Sequence, residues 1–321
     1  MAYLTPRYIY RRQRTSDLPL LHALGLPAST DPHCCMSVLD RKTLTVIGSV
    51  CREVLADENH RAYGQRLSAT AATPAESVVF VQDTMRSLAH TGSSLTWHLA
   101  DGTLHPQDIH PNVLTLQRTA LDMFHTAFPA AKGSGNCVSL PTGGGCTFYF
   151  SADALCCGLL LTAGITPYKV PSCPAMASAL TLRMSRFFDS EADVATFISD
   201  ALNMYHSLYE ADKKALNAQH TANQNAFLQQ INLHLKPLGF HKRGACWKLT
   251  VNAETILTFE AQKHRFSDQF FFNLYVNKNA PGIRLEQDID WQLLSRDDTD
   301  DLMHLYTTED ILPLIKRLKG D

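Results

Sequence analysis

The chain has 321 residues, of which 45% are apolar and 19% charged. That length suits about two domains, each able to bury its own core, and the composition excludes a disordered chain. A formal net charge of -2 and a pI near 6.7 exclude a global pull toward nucleic acid or acidic lipid, leaving only local patches for such contacts.

At the N-terminus Arg7, Arg11, Arg12 and Arg14 precede the apolar run Leu18 to Leu26. Pro19, His22, Gly25 and Pro27 interrupt that run, so a basic arm leading into a short surface helix is favoured over a targeting address. No stretch reaches the roughly 18 uninterrupted apolar residues of a membrane span. Nine cysteines, at 34, 35, 51, 137, 146, 156, 157, 173 and 246, form an odd total without a C-x-x-C pair. They read as free, buried thiols in a reducing cytoplasm, with neither a disulfide framework nor a zinc knuckle.

The β-branched run Thr43 to Val50 predicts a strand, Arg52 to Leu67 a polar helix and Pro74 to Leu88 a second helix. Ser94 to Leu99 predicts a short strand, turning at Asp101-Gly102 into Thr103 and Leu104. His105, Asp108 and His110 lie within six residues of one another. They read as a polar loop, because no second cluster supplies a further metal ligand. Val113 to Phe128 is a helix with Val113, Leu116, Leu121, Phe124 and Phe128 in register, stopped by Pro129.

The glycine-rich stretch KGSGNCVSLPTGGG (132–145) follows. It lacks the Lys-Ser or Lys-Thr of a phosphate loop and the third spaced glycine of a dinucleotide loop, so a hairpin or flexible turn is favoured over a ligand cradle. Cys137 or Cys146 could serve as a nucleophile only if a base such as His98, His105, His110 or His125 approached it in space. Phe148 to Ala163 reads as a buried helix, and Ala175 to Phe188 and Glu191 to Glu210 as two more.

From Glu191 through Lys236 there is neither Gly nor Pro, so residues 211–225 read as a helical connector. Phe227, Leu228, Ile231, Leu235 and Leu238 recur at helical steps, ending at Pro237 and Gly239. Three alternating runs follow, Ala245 to Val251, Thr255 to Lys263 and Phe270 to Val276. Ile289 to Leu294 is a short amphipathic element, and Asp297 to Asp301 a solvated helix start. Thr308 is the expected N-cap of a last helix carrying Ile311, Leu312, Leu314, Ile315 and Leu318.

The words LKPLGFHKRGACWKL (235–249) and FEAQKHRFSDQFFFNLYV (259–276) resemble a family of uncharacterised bacterial domains known only by a domain-of-unknown-function number. Its members open on Leu-Lys-Pro-Leu-Gly-Phe-x-Lys-x-Gly and continue through Gln-Lys-Ser-x-Trp. Here His264 and Phe266 replace the Ser and the aromatic. The resemblance covers the last third of the chain and implies a fold, with no activity attached.

The expected architecture is therefore α+β. A mainly helical N-terminal domain with a few short strands (1–210) joins, through the connector, a three-stranded antiparallel meander packed on helices (226–321). If Leu257, Phe259, Phe270, Phe272 and Leu274 face the helices, then Glu260, Gln262, His264, Phe271, Asn273 and Tyr275 face away. With the neighbouring Lys242, Arg243 and Arg265 these are the candidate binding residues. The expected function is a non-catalytic, partner-binding factor of immunity or accessory type. It would need no cofactor or metal, bind a protein rather than nucleic acid or membrane, and work in a bacterial cytoplasm. The alternative is an enzyme with a Cys/His or glycine-loop site in the N-terminal half.

Overall fold

Among the described residues before residue 190, those in strands outnumber those in helices in the computed structural model of the chain. It describes residues 3–14, 17–25, 35–56, 58, 62–89, 96–99, 102–104, 111–155, 158–167, 181–188, 193–263, 268–277 and 283–320. The expectation of a mainly helical N-terminal domain is thus corrected. The chain forms two compact units, one of Tyr8–Ala218 and one of Met1–Arg7 with Gln219–Asp321.

The first elements are β1 (Tyr3–Leu4), β2 (Tyr8–Arg12), α1 (Leu18–Ala23), β3 (Cys35–Asp40), β4 (Val46–Ala56), β5 (Ala62–Ala71), α2 (Pro74–Ala89), β6 (Thr96–Leu99) and β7 (Gly102–Leu104). Strands β2 to β7 are neighbours in chain order. All these pairs are antiparallel except β5 and β6, which α2 joins as a parallel crossover. Within residues 52–67, expected as a helix, 52–56 belong to β4 and 62–67 to β5. Their weak helical preference yields to backbone pairing with each other and, for Gly64 to Leu67, with β6. Helix α2 lies so close to β4 that a Cβ on Gly48 would fall 2.5 Å from the Phe80 ring. Phe80 meets Tyr8 and Tyr10 edge-on, and the Tyr10 hydroxyl donates to Asp83 at 2.7 Å.

Two features of this sheet were not expected. Arg11, on the supposed basic arm, is buried and holds Asp17 through both guanidinium ends at 2.6 and 2.9 Å, with the Ser37 hydroxyl adding a third bond. Cys35 and Cys51 stand opposite each other on β3 and β4 and form a disulfide. The reading of all nine cysteines as free is corrected for these two. Cys137, Cys146 and Cys246 are free, and the other four lie outside the described residues.

The second sheet is built from α3 (Pro111–Ala127), β8 (Lys132–Ser134), β9 (Cys137–Pro141), β10 (Thr147–Leu155), β11 (Gly158–Thr166), β12 (Leu182–Phe188) and α4 (Val194–Ser207). The five strands form an antiparallel sheet in the order β12-β11-β10-β9-β8. Phe148, Phe150, Ala152, Leu159, Leu161, Ala163 and Ile165 line one face. They pack on Ala120, Phe124 and Phe128 of the α3 segment and on Val194, Phe197, Ile198 and Ala201 of α4.

Residues 148–163, expected as a helix, are therefore mostly the β10–β11 hairpin. Every residue of β11 is buried, so its sequence is a continuous apolar run without the alternation that marks a half-exposed strand. The helix expected over 175–188 is corrected to β12 from Leu182 onward, and residues 175–180 lie outside the described part.

The third sheet follows α5 (Lys213–Leu235) and a short 3-10 turn, Lys236–Leu238. Its strands are β13 (His241–Arg243), β14 (Cys246–Thr250), β15 (Ile256–Lys263), β16 (Phe270–Val276) and β17 (Ile283–Ile289), in that order and antiparallel. The expected three-stranded meander is the centre of a five-stranded sheet. β13 is three residues long, and β17 pairs with β16 through register shifts, so neither shows a clean alternation in sequence.

Helices α6 (Arg296–Tyr306) and α7 (Leu312–Lys319) complete the core, joined by a π turn, Thr307–Ile311. The expected N-cap at Thr308 is corrected to Ser295, whose hydroxyl and Asp298 form a capping box. Pro313 has no N–H to give to the preceding turn, and the helix widens just ahead of it. Phe227, Ile231, Leu235, Trp247, Leu257, Phe259, Phe272, Leu274, Leu302 and Tyr306 form the core, which Leu4 of β1 joins.

Phe150 and Phe259 are each fully buried. Phe150→Ala and Phe259→Ala should each lower unfolding free energy by about 3–5 kcal/mol, measured by urea denaturation.

Candidate interaction face

Strand pairing sets which side chains share the outer face of the third sheet. His241 pairs with Lys248 and Arg243 with Cys246. Cys246 pairs with Glu260, Lys248 with Thr258, Glu260 with Asn273, Gln262 with Phe271, and Thr258 with Tyr275. These residues look away from Trp247, Leu257, Phe259, Phe272 and Leu274, which are sealed in the core.

At the centre of this face the Tyr275 hydroxyl donates to Glu260 Oε2 at 2.7 Å. The Cys246 thiol reaches Oε1 at 3.6 Å. Asn273 Nδ2 donates to Gln262 Oε1 at 3.2 Å, and Asn273 is only 4% exposed although it points away from the core. Burial and then the Glu260 charge push the Cys246 thiol pKa up, so it remains a protonated donor rather than a nucleophile. Phe271 and Tyr275 are half-buried, whereas His241, Arg243 and Lys248 are exposed at the β13–β14 edge.

Lys242 does not belong to this group. It lies on the opposite side of β13, beside Trp247, where Nζ sits 5.8 Å from the ring centroid and donates to Gln229 of α5 at 3.2 Å. Burial lowers its pKa, and it acts as a brace between helix and strand. His264 and Arg265 lie outside the described residues. His241, Lys248 and Cys246 were not singled out from the sequence, although the alternation that selects Glu260 places them on the same face.

The geometry around the other candidates opposes their use in catalysis. Cys137 is buried with Sγ 3.0 Å from the Tyr149 hydroxyl, and burial pushes the Cys146 thiol pKa up. His98, His105 and His110 have no described side chain, and His125 is exposed on α3. In the glycine-rich turn, Gly144 N donates to Tyr209 O, Gly145 N to Thr142 O and Cys146 N to Thr142 Oγ1. Those N–H groups are already directed at protein oxygens. A Cβ on Gly144 would lie 2.2 Å from Ala211 O, so the glycine permits the close approach of two backbones. The His105–His110 segment lies outside the described residues. Among the described residues no three His, Cys, Asp or Glu side chains gather as a metal site.

Two histidine–aspartate pairs escaped the sequence reading because their partners are 48 and 66 residues apart. His220 Nε2 lies 2.6 Å from Asp268, which also accepts from Gln292 and pairs with Lys263. His234 lies 2.7 Å from Asp300. Burial would raise the Asp268 pKa, but the hydrogen bonds from His220 and Lys263 outweigh it and hold the carboxyl below its ordinary 3.8.

Residues 231–303 match the family model described as Domain of unknown function (DUF4304), and no family model matches the N-terminal part. No curated protein and no solved structure matches the chain. The match runs from the last turns of α5 through all five strands into α6. It therefore contains the whole outer face.

Because the folded pKa of Asp268 is depressed, its contribution to stability is complete above the unfolded value and lost as pH falls through the folded one. The urea-midpoint gap between the native chain and Asp268→Asn should therefore shrink from about pH 6 to about pH 3. Gly144→Ala should force the turn from Ala211 and cost about 1–3 kcal/mol, read by the same titration.

Proposed function

We propose that the chain is a non-catalytic binding protein whose outer face on β13–β16 docks a protein partner bearing acidic side chains. The observation that carries this reading is the composition of that face. The exposed His241 and the exposed cations Arg243 and Lys248 border the half-buried rings of Phe271 and Tyr275 and the fixed Glu260 acceptor. Among the described residues Arg243 and Lys248 make no ion pair, so an approaching carboxylate would meet them without first breaking one. Aromatic rings with a charged rim are the usual makeup of a contact centre. An immunity-type or other accessory factor fits this reading. The enzyme alternative is not favoured, because Cys137 and Cys146 are buried and the N–H groups of Gly144, Gly145 and Cys146 are engaged.

The test is affinity capture with the tagged chain, followed by titration of the purified complex. Arg243→Glu with Lys248→Glu should weaken binding at least about tenfold, and added salt should erase the difference. Phe271→Ala with Tyr275→Ala should weaken it regardless of salt. A partner that binds all variants alike refutes the proposal.

A further inference from the structure

The second and third sheets repeat one another. Each follows a helix, opens with a two-residue hairpin turn having a glycine at positive φ (Gly135 at 70°, Gly244 at 62°), continues through five antiparallel strands in chain order and ends in a helix. In both the first residue after the turn is a cysteine.

Through the first three strands the numbering offset is constant. Cys137, Val138, Phe148, Phe150 and Ala152 correspond to Cys246, Trp247, Leu257, Phe259 and Ala261, each 109 residues later. The pairing with the next strand is also the same. Phe148, Phe150 and Ala152 stand opposite Ile165, Ala163 and Leu161, as Leu257, Phe259 and Ala261 stand opposite Val276, Leu274 and Phe272. The preceding helices supply Ala120, Leu121, Phe124 and Phe128 in one case and Phe227, Leu228, Ile231 and Leu235 in the other, at identical spacing. The closing helices supply Val194, Phe197, Ile198 and Ala201 against Thr299, Leu302, Met303 and Tyr306, again at identical spacing.

We infer that residues 111–207 and 219–306 are two copies of one module, and that the outer face of this module is a docking face which the first copy has already committed within the chain. In the first copy Cys137, Tyr149, Ser151, Leu160 and Thr162 look away from the helices, and each is buried. The polar groups there bond one another. Tyr149 bonds Cys137, and Asp153, its pKa raised by burial, accepts from Ser151 and Asn136. In the second copy the matching positions Cys246, Thr258, Glu260 and Phe271 are only half-buried, Asn273 alone of the five is buried, and Lys248, which matches the half-buried Ser139, is exposed. One fold thus serves once as internal scaffold and once as presented surface. That the presented face takes a protein partner rests on the reading proposed above. The duplication and the closed-versus-open contrast do not.

A lysine scan of β10 and β15 in the full chain, read by urea midpoint, tests this. Phe148→Lys, Phe150→Lys and Ala152→Lys, like Leu257→Lys, Phe259→Lys and Ala261→Lys, should each abolish the cooperative transition. Tyr149→Lys and Ser151→Lys should do the same, whereas Thr258→Lys and Glu260→Lys should retain a transition close to the native midpoint. Opposite phases in the two strands at the 109-residue offset would overturn the duplication. Tolerance at 149 and 151 equal to that at 258 and 260 would overturn the closed face. Because no partner enters this scan, failure of the charge-reversal experiment with the scan intact removes only the docking role of the second copy.

Discussion

Each five-stranded sheet depends on one constraint: every second side chain of its central strands must lie under a helix. Phe148, Phe150 and Ala152 meet that demand in one sheet, and Leu257, Phe259 and Ala261 in the other. A shift of one residue in either ladder would exchange a fully buried phenylalanine for a polar neighbour, so the register is fixed by burial before any hydrogen bond on the outer face is considered. The outer residues are then free to be chosen for other purposes. Tyr275 with Glu260, and Tyr149 with Cys137, show two different choices on the same frame.

The constraint also explains which parts of the fold were readable. β14, β15 and β16 have one open side, so polar and apolar residues alternate, and the strands, their inner face and most of their outer face follow from the sequence. β10 and β11 are closed on both sides, so alternation disappears and FYFSADALCCGLLLTA looks like a helix. Short strands such as β13 give too few residues for any period to show. The outer-face residues found by alternation were Glu260, Gln262, Phe271, Asn273 and Tyr275. Lys242 was grouped with them by proximity in sequence, and a strand sends neighbours to opposite sides.

The two copies share positions more than residue types. Trp247 stands where Val138 does, Leu257 where Phe148 does and Phe227 where Ala120 does, so the repeated feature is inner-face burial and pairing rather than identity. A match confined to residues 231–303 is what such divergence would give, because the first copy retains the pattern and few of the letters. Where the helix of the first copy has Ala120, β10 carries Phe148; where the helix of the second has Phe227, β15 carries the smaller Leu257.

The Cys35–Cys51 bond has a bearing beyond the pair it joins. It closes a loop that contains the whole β3–β4 turn, and a loop of that length restricts the unfolded chain by about 3 kcal/mol on the chain-entropy account. The bond is in the first sheet, whereas both repeated modules lie outside its loop. Oxidant and reductant would therefore act, through this bond, on the robustness of the first sheet, which precedes both modules in the chain.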